Sequence, residues 1–65
     1  MSVRAEVRRE LERASDGIAR VLSHLGKAGT LCVEGKRPEV DEALKGLGQV
    51  LVMVQENLSS LRDSI

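Results

Sequence analysis

Gly35-Lys36-Arg37-Pro38 divides this 65-residue chain almost in half, and an apolar ladder of the same pitch runs away from it on either side. Before it, Val7, Leu11, Ala14, Ile18, Val21, Leu25, Ala28 and Cys32 recur at alternating steps of four and three residues. After it, Val40, Leu44, Leu47, Leu51, Val54, Leu58, Leu61 and Ile65 follow the same steps. A period of about 3.5 residues is that of a helix presenting one apolar seam to another helix. The ends fit this reading. Ser2 is a candidate N-cap, and Gly35 suits a left-handed helix stop. Pro38 suits the first position of a new helix, and Glu39, Asp41 and Glu42 place negative charge where the helix dipole favours it. The spacing predicts an all-α chain: a helix over 3–33, a turn over 34–37 and a helix over 38–63, closed as an antiparallel two-helix hairpin in a single domain 1–65. Folding about Lys36 pairs Cys32 with Val40, Leu25 with Leu47 and Leu11 with Leu61. Thr30-Leu31-Cys32-Val33 also permits a short strand, but no second alternating segment is present to pair with it.

Charge follows the pairing weakly. Residues 1–30 carry six basic and four acidic groups, net +2, and residues 39–65 carry two basic and five acidic groups, net −3. Asp41 with Lys45, and Asp16 with Arg20, have the i, i+4 spacing of ion pairs. Gly17, Gly26, Gly29, Gly46 and Gly48 oppose the helices, each costing about 1 kcal/mol relative to Ala. Gly26, Gly29 and Gly46 fall at similar heights, which predicts either close backbone approach or a bent first helix.

A hairpin of this pattern has more apolar surface than two helices can hide. Val50-Leu51-Val52-Met53-Val54 goes all the way round its helix, and a helix apolar all round is normally covered all round. Leu22, Leu31 and Val33 lie off the seam of the first helix in the same way. Residues 4–13 and the end of the second helix, by contrast, are apolar along the seam alone. A chain this short is marginal by itself, and small domains are usually completed by disulfides, metal or association. One Cys and one His supply neither an internal disulfide nor a zinc site. The partner-binding surface is therefore expected at Leu22, Leu31, Val33, Val50, Val52 and Met53. The partner is a second copy or a different helical subunit, completing a four-helix bundle.

The residues that could carry chemistry have plainer readings. Gly26-Lys27-Ala28-Gly29-Thr30 lacks the order of a phosphate-binding loop and has no strand before it. His24 flanks the seam without a partner that would make it a switch. Cys32 is a small seam residue, with an intermolecular disulfide as its alternative role. The carboxylates alternate with Arg and Lys on charged helix faces, and acid–base work needs a cleft that two helices do not form. No catalytic residue, cofactor or metal ligand is expected. The alternative function is a dimeric nucleic-acid-binding hairpin using Arg4, Arg8, Arg9, Arg13 and Arg20. Interleaved acids, zero net charge and the absence of aromatic residues disfavour it. No apolar run long enough to span a membrane is present, the N-terminus lacks a signal-peptide core, and a lone free thiol suits the cytoplasm.

With a long amphipathic helix on each side, Gly35-Lys36-Arg37-Pro38-Glu39 resembles the mid-chain turn of the small co-chaperones of bacterial type III secretion needle subunits. The likeness covers length, turn placement and helix pattern over most of the chain. It implies a helical hairpin that pairs with a larger tetratricopeptide-like chaperone and helps keep a needle subunit soluble and unpolymerised. The glycine-rich stretch from Gly26 to Gly48 departs from that pattern, and no individual binding residue carries over.

Overall fold

The computed structural model describes residues 2–65, which form two helices, α1 (Val3–Glu34) and α2 (Pro38–Ser64), packed against each other as an antiparallel hairpin. The rod measures 52 × 15 × 10 Å. α1 continues through Thr30-Leu31-Cys32-Val33, so the strand that this segment permits does not form.

Three residues reverse the chain. Arg37 N–H donates to Cys32 O at 2.8 Å and Lys36 N–H to Val33 O at 3.3 Å, the two crossed bonds of a Schellman stop. The left-handed position in it is Lys36, with φ 57°, and Gly35 stands one residue earlier at φ −85°. The expected left-handed Gly35 is thus corrected: the glycine still belongs to the helical side of the stop, and the lysine takes the turn. Pro38, which has no N–H to leave unsatisfied, then opens α2. At the other end Ser2 occupies the N-cap with extended backbone, and its carbonyl accepts from Glu6 N–H at 3.1 Å. Its hydroxyl makes no capping bond.

The helices meet along a line turned partway round from the expected seam. Leu11, Ile18, Leu25 and Cys32 of α1, and Leu44, Leu51 and Leu58 of α2 with its C-cap Ile65, are half-buried between them. The alternate places between these residues are filled by Ser15, Leu22 and Gly29 on α1, and by Asp41, Gly48, Gln55 and Arg62 on α2, all half-buried. Of the other expected seam residues Ala28 is half-buried, and Val7, Ala14, Val21, Val40, Leu47, Val54 and Leu61 are exposed. Small and polar side chains at the alternate places let the backbones approach. A Cβ built on Gly29 would stand 3.4 Å from Asp41 Oδ1. Gln55 Nε2 donates to Ser15 O at 3.3 Å. Gly29 opposite Asp41 and Ser15 opposite Gln55 define a register slipped by two residues from the pairing of Leu25 with Leu47.

No described residue is fully buried. Five glycines inside the helices remove about 5 kcal/mol of helix stability, a sum comparable with the whole stability of many domains, about 5–15 kcal/mol. Burial between the two helices alone has to offset that cost as well as chain entropy.

Candidate partner interface

Turning the helices divides the surplus apolar surface between two sides of the hairpin. On one side a groove runs along the helix pair. Leu22, Val52 and Met53 line it together with Gly48 and Gln49. Nearer the turn it passes Gly26, Gly29 and Val33 and is edged by Thr30, Asp41 and Lys45. Lys45 Nζ lies 3.2 Å from Asp41 Oδ2 and 3.9 Å from Glu42 Oε1. The hydrogen bond that Lys45 donates to Asp41, followed by the charges of Asp41 and Glu42, raises the ammonium above its ordinary pKa. This side is apolar in its floor and charged at its edge.

The opposite side has a different character. One residue is 100° of helix, so each residue that precedes an interface residue faces across the hairpin from the groove. On α1 these are Val7, Ala14, Val21 and Ala28. On α2 they are Val40, Leu47, Val54 and Leu61, with Val50 between Leu47 and Val54. The six large members at positions 7, 21, 40, 47, 54 and 61 each keep 39–54% of their surface exposed. The α2 row is free of charge, whereas on α1 Glu10 and His24, which precede Leu11 and Leu25, stand on the same side.

Of the six residues expected to bind a partner, the structure brings Leu22, Val52 and Met53 together, with Val33 further along the same side. Val50 stands on the opposite side, and Leu31 stands three residues beyond Ala28 on the outer flank of α1, 67% exposed. The six do not form one patch. The exposed rows of Val21, Leu47, Val54 and Leu61 were hidden from sequence reasoning because a seam residue is expected inside. Gly29, one step from the seam on the groove side, was the available signal that the helices close together there.

The charged groups are spread over the surface. Arg13 Nη1 is paired with Glu10 Oε1 at 2.8 Å. Among the described residues Asp16 and Arg20 form no ion pair, and Arg20 instead leans over Gly17, its Nη2 4.0 Å from where a Cβ would stand. Arg9, Arg13 and Arg20 share a flank of α1 with Asp16 among them. His24 is exposed, and Cys32 is a free, half-buried thiol. Among the described residues no three His, Cys, Asp or Glu side chains are grouped to hold a metal ion. Among the described residues no helix is long and apolar enough to cross a membrane. No family model, curated protein or solved structure matches the chain.

Proposed function

We propose that this hairpin is a non-enzymatic protein–protein interaction module of the cytoplasm, which folds to completion by burying its exposed apolar surface against another helical chain as a four-helix bundle. The observation that carries this reading is a well-formed pair of helices without one fully buried residue, flanked by rows of Val and Leu that lie open to water. Exposed apolar surface of this extent is characteristic of a docking site. The charged groups support a structural role, since they form local pairs such as the exposed Glu10–Arg13 and the Asp41–Lys45 pair at the groove edge. The reading covers a self-associating bundle and a small adaptor or co-chaperone subunit. The second form is what the likeness to the needle co-chaperones implies.

The test is expression of the chain alone and together with the products of its neighbouring genes, with mass measured by light scattering. An assembly of fixed stoichiometry, with itself or with a neighbour, is expected. A lone monomer that unfolds cooperatively would sink the proposal.

A further inference from the structure

The association reading leaves open which side is covered and by what. Resting on that reading, we infer that the side of Val21, Leu47, Val54 and Leu61 is occupied by a second copy of the chain, about a two-fold axis parallel to the rod, with α1 of one copy against α2 of the other.

Area is the first argument. A compact chain of 7.1 kDa exposes about 4,100 Å², whereas this hairpin exposes 4989 Å². The excess, about 900 Å², matches the roughly 800 Å² that each partner loses in a standard stable interface. A face the length of the rod, covered once, accounts for it.

Shape is the second. The row on α1 is small: Val7, Ala14, Val21 and Ala28. The row on α2 is larger: Val40, Leu47, Val54 and Leu61. A two-fold axis along the rod sets each small row against the partner's large row. An axis across the rod would run each row antiparallel against its own copy, small row on small row, which leaves space, and large row on large row, which crowds. Interfaces pack to the density of protein interiors, so the first arrangement wins.

Charge is the third. The docking rows themselves hold no charged residue, and Glu10 and His24 stand at the outer edge of the α1 row, where they stay open to solvent. Beside the rows the net positive first half meets the net negative second half of the other copy. The opposite side, edged by Asp41 and Lys45, has no such match to itself.

Two measurements on the full chain test this. The first is mass by sedimentation equilibrium. The wild type is expected at twice 7.1 kDa. Leu47→Glu is expected to weaken the dimer at least a hundredfold, and Met53→Glu, on the groove side, to leave it unchanged. Should Leu47→Glu lose its helix by circular dichroism, Leu47→Ala replaces it, with at least tenfold weakening expected. The second is the distance between spin labels on Lys36→Cys in a Cys32→Ser background. Turns at the same end place the labels within about 30 Å, given helix axes 8–10 Å apart. Turns at opposite ends place them near the 52 Å length of the rod. A dimer broken by Met53→Glu and not by Leu47→Glu overturns the chosen face, and a label distance near the rod length overturns the chosen axis. A chain that is monomeric alone but forms a fixed complex with a different protein overturns the second copy and leaves the association reading standing. A cooperative monomer overturns both.

Discussion

The side-chain amide of Gln55 donates to the backbone carbonyl of Ser15 across 3.3 Å, the one side-chain hydrogen bond that joins the two helices among the described residues. That carbonyl sits mid-helix, where it also accepts from its own helical N–H, so the bond adds to a satisfied group. Its loss in Gln55→Ala is expected to cost about 1 kcal/mol, the ordinary net value of such a bond. Gln55→Leu leaves nothing unsatisfied and extends the apolar row of Leu51 and Leu58. It is expected to exceed wild-type stability by about 1 kcal/mol. Urea unfolding midpoints of the three proteins check both signs.

Lys36 carries the left-handed turn at φ 57° although a glycine stands next to it. A side chain in that conformation costs about 1–2 kcal/mol, which glycine avoids. Lys36→Gly is expected to raise the thermal midpoint. Gly35→Ala is expected to lower it, because its Cβ would come within 3.2 Å of the Leu31 carbonyl oxygen. Thermal melts at one fixed concentration decide the pair.

Glycines within the helices separate by what lies above them. Nothing stands within 4 Å of a Cβ at Gly26, Gly46 or Gly48. Alanine at each is expected to add about 1 kcal/mol of helix stability. At Gly29 the same change meets Asp41 Oδ1 at 3.4 Å, and the gain is expected to be smaller. The ranking is measurable by chemical denaturation of the four single variants.

The ion pair of Lys45 with Asp41 gives a pH signature. The lysine pKa is raised in the folded chain from its ordinary 10.5 by the Asp41 hydrogen bond, then by the charges of Asp41 and Glu42. A raised pKa means that the folded state holds the proton more tightly. The contribution is therefore complete below 10.5 and disappears as pH rises through the folded value. Lys45→Met is expected to lose this alkaline step, and high salt to diminish it because the ammonium is open to solvent. Unfolding midpoints measured between pH 9 and pH 12 show whether the step is there.

Both helices and the reversal at Gly35–Pro38 were legible in the sequence, because helix periodicity and the Gly and Pro punctuation are local signals. The facing of the helices was not. A 3.5-residue seam is two adjacent rows, and Leu11, Ile18, Leu25, Leu44, Leu51 and Leu58 form the row that faces the other helix under either rotation. The second row was open to choice. Sequence pattern favours the more apolar residues, Val21 and Leu47, whereas packing of only two helices favours the contacts that Ser15 and Gly29 permit with Gln55 and Asp41. The same rotation split the expected partner-binding residues, sending Val52 and Met53 to one side and Val50 to the other. Lys36 in the left-handed position was hidden for another reason: a glycine beside it satisfied the usual rule.

The central claim is that the hairpin's stability includes the surface it buries on association. The thermal midpoint measured by circular dichroism over a hundredfold range of chain concentration tests this most directly, because any species that assembles in the folded state alone is stabilised by mass action. The midpoint is expected to climb steadily with concentration. A single cooperative transition whose midpoint stays fixed across that range would contradict the account.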